Sequence, residues 1–132
     1  MDINNMSAEE LRELAAKKEL EEKSIMNGDK NEGICDNLIG KYVIVRTYSA
    51  GVWFGKLQRK IGEEVYLTEA RRMYRWWAAK SISLTGCALY GIKQEESKIC
   101  GEIETPLIYI EILPCSDVAI QSIKYAPEVE AE

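Results

Sequence analysis

The sequence predicts an α+β domain: a small twisted antiparallel β-sheet with short helices packed on it, preceded by an N-terminal helical arm. Three observations lead there. β-Branched and aromatic runs recur between Gly-containing turns from Leu38 onward. Two short segments with helix-cap residues follow these runs, beginning near Ser81 and at Ser116. A polar, helix-patterned stretch ending at Asn27-Gly28-Asp29 stands apart at the start of the chain. The expected organisation is an arm and connector over residues 1–37, a core over 38–127 and an acidic tail over 128–132. A chain of 132 residues fits one domain of ordinary size.

The arm reads as a helix over residues 7–26. Ser7 and Glu10 make the S-x-x-E capping box, each side chain satisfying a free backbone N–H. Leu11, Leu14 and Ala15 begin an apolar stripe that Lys18 interrupts and Leu20 and Ile25 resume. So thin a stripe suits a partner surface better than a core, which makes the arm an accessory or oligomerisation element.

Five strands are expected in the core, the first four as an antiparallel meander. Tyr42–Val45 is a β-branched run, and Gly51–Leu57 follows a Ser49-Ala50-Gly51 turn in which Gly51 is free to take positive φ. Glu64–Thr68 comes after the Ile61-Gly62-Glu63 turn, and Met73–Trp77 makes a fourth strand. Ser81–Tyr90 reads as a helix, capped by Ser81 or Ser83 and closed by Gly91. Lys93–Gly101 is polar and loop-like. Leu107–Leu113 is a further strand, opened by Pro106 and stopped by Pro114. Ser116 then caps a helix with Asp117 in its first turn and an apolar face of Val118, Ala119, Ile120 and Ile123.

Composition narrows the function. The formal net charge is −5, yet residues 41–80 carry nine Lys and Arg against three acids. An acidic chain with a basic centre is ill suited to long nucleic acid, which demands many phosphate contacts over a broad surface. It suits a small anionic ligand in a focused pocket. The chain has no histidine, and so lacks the commonest general base and the commonest metal ligand. Cys35, Cys87, Cys100 and Cys115 are widely spaced without a C-x-x-C pair, which argues for buried apolar side chains rather than a zinc site. Glu63-Glu64 and Glu95-Glu96 are sequence neighbours whose side chains diverge, so neither pair makes a carboxylate dyad. Neither phosphate-binding glycine motif occurs. The expectation is a binding protein rather than an enzyme, without catalytic residues, cofactor or metal. No run reaches the ~18 apolar residues of a membrane span and no apolar signal core opens the chain, so a cytoplasmic location is expected.

Two segments carry the candidate site. Arg46-Thr47-Tyr48-Ser49-Ala50-Gly51 admits two readings: a salt-bridged strand end with a hydroxyl-bonded turn, or a grip for phosphate oxygens with Arg46 as a bidentate fork. Arg71-Arg72-Met73-Tyr74-Arg75-Trp76-Trp77 holds two of the three tryptophans and three arginines. On a strand, Arg71, Met73, Arg75 and Trp77 share one face, and Arg72, Tyr74 and Trp76 share the other. Either face can stack a base and neutralise a phosphate, and either has the make-up of a protein-binding hot spot. Core tryptophans flanked by surface arginines would give the same pattern. The candidate ligand contacts are Arg46, Thr47, Tyr48, Ser49, Gly51, Arg71, Arg72, Tyr74, Trp76 and Trp77.

Tyr42-Val43-Ile44-Val45-Arg46-Thr47-Tyr48-Ser49-Ala50-Gly51-Val52, the Ala70-Arg71-Arg72 aromatic segment and Glu111-Ile112-Leu113-Pro114-Cys115-Ser116 resemble the first-described phage Thoeris anti-defence sponges over residues 40–125. The resemblance implies a phage protein, acting in the cytoplasm of the infected bacterium. It implies binding of a cyclic ADP-ribose-type immune signal, in related members cyclic di- or trinucleotides, without cleavage. It also implies a homo-oligomer, a dimer or hexamer, with pockets at subunit interfaces. Trp53 and Trp76-Trp77 depart from the family's aromatic pattern and leave the stacking residue open. Two other readings of the same residues remain: an inhibitor that docks on a host protein through the Arg/Trp patch, and a single-strand nucleic-acid binder.

Overall fold

A computed structural model describes residues 33–131. The expected arm over 7–26 lies outside them. Chain contacts divide the molecule into two units, at Asn37 and Leu38. In the described residues before that point, Ile34 opens a short 3-10 helix, Ile34–Leu38, and the Gly33 amide donates to Asp36 Oδ2 at 2.8 Å.

The second unit is built on four antiparallel strands: β1 (Tyr42–Thr47), β2 (Val52–Ile61), β3 (Glu64–Arg75) and β4 (Lys98–Pro114). Two helices complete it, α1 (Ser83–Tyr90) and α2 (Asp117–Lys124). The α+β class is as expected, and the sheet goes further by closing into a barrel in the order β1-β2-β3-β4. Closure works by stagger. β4 pairs with β3 over residues 98–108 and with β1 over residues 109–114, so one long strand serves two neighbours in turn. Each part of β4 thus has one strand partner, and the stagger between its two halves is what closes the barrel.

Both faces of the sheet are covered, and β1 shows it most clearly. Val43, Ile44 and Val45 are all fully buried. Val43 and Val45 join Trp53, Leu57, Val65, Leu67, Ala70 and Leu107 inside the barrel. Ile44 points the other way and meets Phe54, Met73, Cys87, Ile99 and Ile123 beneath the two helices. A strand buried on both faces needs a continuous apolar run rather than alternation, which is what Tyr42–Val45 supplies. Ile123 fixes α2 on this outer core, and its truncation to Ala would cost about 2–5 kcal/mol.

The close approach of β2 and β3 requires one glycine. A Cβ on Gly55 would stand 3.0 Å from Ala70 Cα and 3.2 Å from the Thr68 carbonyl oxygen, both backbone atoms. The register shifts at this point, between Phe54 and Lys56. Glu69 sits in the matching irregularity of β3 with φ of 55°, a left-handed conformation uncommon for a residue with a side chain.

Several expected elements are corrected. Met73–Trp77 is not a separate strand: β3 runs unbroken from Glu64 to Arg75, and Trp76 and Trp77 lie beyond its end. Lys93–Gly101 is not all loop. β4 begins at Lys98, where Ile99 supplies a single buried anchor too sparse to read as a pattern. Pro106 does not open β4 but lies inside it, opposite Tyr66 of β3. It is tolerated because that stretch of β4 has not yet reached β1, so its missing N–H breaks no ladder bond on that side.

The first helix starts at Ser83 with Ile82 at its N-cap, and Ser81 does not cap it. Ser81 and Ser83 both take positive φ, and the Ser83 hydroxyl accepts from the Thr85 amide at 3.2 Å. Ser116 caps the second helix as expected, accepting from the Ala119 amide at 3.1 Å while donating to the Leu89 carbonyl. Ala119 and Ile123 form the buried face of α2, but Val118 points to solvent. Past Pro127 the chain pairs again: Val129 N donates to the Ile99 carbonyl at 2.9 Å. Among the described residues, no helix is long and apolar enough to cross a membrane.

Candidate functional site

The β1–β2 turn resolves the two readings of Arg46–Gly51. Arg46 Nε meets Glu111 Oε1 at 2.9 Å across the β1–β4 pair. Thr47 is buried, its hydroxyl donating to the Gly51 carbonyl and accepting from the Ala50 amide, each at 2.8 Å. Arg46 is therefore salt-bridged and Thr47 spends its hydroxyl on its own turn. Gly51 takes φ of 90° to close that turn. Tyr48 is 88% exposed at the tip, and together with Ser49 it walls an open cavity of about 580 Å³ against Glu64 and Ile108.

Arg71 and Arg72, adjacent in sequence, have opposite fates. Arg71 is turned inward and is only 4% exposed. Its Nε donates to the Cys100 carbonyl at 2.7 Å, and Nη1 reaches the carbonyls of Ile123, Lys124 and Ala126 at 2.9, 3.1 and 2.7 Å. These last carbonyls lie at and just past the end of α2, where few amides remain to pair them, and a cation there also meets the negative end of the helix dipole. Burial pushes the guanidinium pKa down, while the carboxylates of Glu102 and Glu128 work to restore it. Arg71, expected to grip ligand, is a clamp for the fold.

Arg72 faces outward. Its guanidinium carbon lies 4.5 Å from the centroid of the Trp53 ring, in a cation–π stack across the β2–β3 pair. Trp53 is nearly buried, held by the bond from its Nε1 to the Ala50 carbonyl at 3.0 Å. That bond ties the stack to the β1–β2 turn, and a Cβ on Gly51 would lie 3.8 Å from Arg72 Nη1. Among the described residues, no hydrogen bond or ion pair engages the Arg72 guanidinium. The fold thus brings Gly51 and Arg72 together beside Trp53, a residue outside the expected set, while Tyr48 and Ser49 line a different cavity. The sequence signal for Trp53 was its alternation with Phe54 on a buried strand; its partner depended on cross-strand register.

The aromatic end of β3 splits differently from the expected faces. Arg72 and Tyr74 point outward and Met73 inward, as alternation requires. Trp76 then packs on the outer core while Trp77 is 56% exposed, the reverse of the expected phase. β3 ends at Arg75, so the strand's alternation does not extend to Trp76 and Trp77. Arg75 and Trp77 therefore share an exposed surface with Glu95, Glu96 and Lys98, where the Trp77 amide is bonded to Ser97 Oγ at 3.1 Å, while Tyr74 is exposed on the same side of β3 as Arg72.

A third cluster went unread in the sequence because its members lie far apart. Tyr42 Oη donates to Glu69 Oε1 at 2.7 Å, and Lys124 Nζ reaches Tyr42 Oη at 2.9 Å and Glu69 Oε1 at 3.1 Å. The Tyr42 bond, aided by Lys124, holds the Glu69 carboxyl below its ordinary pKa. Those same contacts raise the Lys124 ammonium. Donation from Lys124 draws the Tyr42 phenol down, but burial and Glu69 outweigh it and the phenol ends above its usual value. The cluster pins the end of α2 to the strained Glu69 bulge.

Together these features define an α+β barrel protein with a surface cleft built on an arginine–tryptophan stack, and a separate exposed aromatic patch. Residues 40–123 match the family described as Domain of unknown function (DUF6948), and the chain belongs to that family. No curated protein and no solved structure matches the chain.

Proposed function

We propose that the protein is a phage anti-defence sponge, binding a small cyclic nucleotide signal in the bacterial cytoplasm and holding it without cleavage. The observation that carries this reading is the Arg72 guanidinium ordered on Trp53 beside the Gly51 turn. Stacking fixes the guanidinium plane at little further entropic cost, and its donor edge is left for a ligand. A phosphate held by Arg72 would meet the Gly51 turn, where a Cβ on Gly51 would lie 3.8 Å from Arg72 Nη1. A chain without histidine suits capture better than turnover. On this reading the ligand contacts are Tyr48, Ser49, Gly51 and Arg72. Arg46, Thr47 and Arg71 support them from behind, and assembly as a homodimer or hexamer completes the pocket.

The test is thermal unfolding against cyclic ADP-ribose isomers and cyclic oligonucleotides, since a ligand that binds only the folded state raises the midpoint. The bound sample is then heat-denatured and its supernatant analysed. A raised midpoint with intact ligand recovered is expected, and Arg72→Ala should abolish both. Absence of any shift across the panel would overturn the reading, and recovery of cleaved ligand would make the protein an enzyme.

A second reading rests on a different observation. Arg75 and Trp77, the latter 56% exposed, line one surface and are residue types that dominate protein-binding hot spots. An inhibitor docking directly on a host protein through this patch would co-elute with it in the absence of nucleotide, and Trp77→Ala would abolish that complex.

A further inference from the structure

The cleft beside the Trp53–Arg72 stack, about 460 Å³, has a second wall of opposite charge. Trp53 and Arg72 line one side, Gly101 and Glu102 of β4 the floor, and Glu128 the far side. Glu128 is carried there by the chain after α2, which runs parallel to β4 at Ile99 and is fixed by the bond from Val129 N to the Ile99 carbonyl. Its carboxylate lies directly over Gly101. A Cβ at that position would stand 2.9 Å from Glu128 Oε2 and 3.0 Å from Oε1, so the absence of a side chain is what seats the carboxylate.

Glu102 and Glu128 act on the buried Arg71 through space, but Arg71 spends its donors on backbone carbonyls instead. Among the described residues, neither carboxylate makes a hydrogen bond or ion pair. The cleft therefore offers a free guanidinium fork on one wall and a free carboxylate fork on the other. With Arg71 behind them, two positive charges face two negative ones. A bare phosphate gains nothing from so balanced a site, whereas a neutral aromatic group with donors on one edge and acceptors on another gains from both walls.

Resting on the nucleotide-binding reading, we infer that this cleft is a nucleobase subsite selective for guanine. Guanine presents two acceptors, O6 and N7, which match an arginine fork. Its neighbouring edge presents two donors, N1–H and the N2 amine, which match the two oxygens of a carboxylate. Arg72 takes the first edge and Glu128 the second, while the phosphate lies outward on the side of the Gly51 turn. Adenine offers its 6-amine alone on that edge, and its N1 lone pair would face the second Glu128 oxygen. That is repulsion, so the site rejects adenine as well as accepting guanine. Of the two ligand classes in the proposed function, the cleft favours a guanine-bearing cyclic oligonucleotide over the adenine-only ADP-ribose isomers.

Calorimetric titration of the full chain with cyclic di-GMP and cyclic di-AMP tests this, because the two probes share charge and backbone. Cyclic di-GMP should bind at least about tenfold more tightly, the discrimination a bidentate base contact supplies. Glu128→Gln keeps the size but replaces one acceptor by a donor; it should weaken cyclic di-GMP by about tenfold and, by removing the repulsion at adenine N1, tighten cyclic di-AMP. Gly101→Ala, whose nearest contact is the movable end of Glu128, should displace the carboxylate and reduce the preference without unfolding the barrel. Equal affinity for the two probes, a preference that survives Glu128→Gln, or binding of cyclic ADP-ribose isomers alone would each overturn the guanine subsite while leaving the sponge standing. Failure of every nucleotide to bind would overturn both.

Discussion

Replacing Arg71 and Arg72 in turn should give two unrelated phenotypes, although the residues are adjacent. Arg71 Nε and Nη1 together satisfy the carbonyls of Cys100, Ile123, Lys124 and Ala126, at 2.7 to 3.1 Å. In Arg71→Ala those oxygens lose a charged donor in a region that admits little water, and the end of α2 loses its tie to β4. A hydrogen bond to a charged group contributes roughly 1.5–3 kcal/mol. The bonds share one guanidinium, whose own burial costs energy, so they do not add in full. A net loss of about 3–5 kcal/mol is expected, comparable to breaking a buried charged network. For a domain of this size each kcal/mol lowers the midpoint by roughly 4–8 °C, so thermal unfolding should shift by well over ten degrees. Urea unfolding followed by tryptophan fluorescence gives the free energy directly. Arg72→Ala removes only an exposed stack, worth about 0.5–1 kcal/mol, and should leave the midpoint nearly unchanged while eliminating ligand binding. If Arg71→Ala unfolds within about 0.5 kcal/mol of wild type, the surface-like cost marks the clamp as wrongly assigned.

Three other outcomes follow from the packing. Gly55→Ala would force a Cβ against Ala70 Cα at 3.0 Å and the Thr68 oxygen at 3.2 Å; because both are backbone, strands must separate, and a loss of about 1–3 kcal/mol is expected in urea. The lowered Glu69 pKa means that the folded state binds this proton less readily than the unfolded chain. Its contribution is therefore complete above the unfolded value and lost as pH falls through the folded one, so acid unfolding should flatten in Glu69→Gln; an unchanged profile would remove Glu69 from the cause. Burial pushes the Cys87 and Cys115 thiols up to about 11 and about 12, so both should resist alkylation at pH 8 until the protein unfolds. Rapid labelling of either in the native state, read by peptide mass, would contradict that burial.

Much of the fold is legible in local chemistry. The run Tyr42–Val45, the glycine turns at Gly51 and Gly62 and the Ser116 cap each express a preference of the backbone over a few residues, and each appears where expected. β4 was read as half its length because its first half is anchored by little more than Ile99, while Glu102 and Glu104 face solvent. Only pairing with β3 makes that half a strand.

The sequence by itself determined that a basic, aromatic block lies in an acidic chain without histidine, and that Arg71 and Arg72 point to opposite sides of a strand. It could not say which side faces water. Both faces of this sheet are covered in places, one by the closing barrel and one by the helices, so alternation has no preferred sense until those layers are set. Nor could it pair Trp53 with Arg72 or bring Glu128 over Gly101, because both depend on register across bulges and on where the chain returns after α2. The tertiary structure decided that the outward arginine is Arg72 and that a carboxylate faces it.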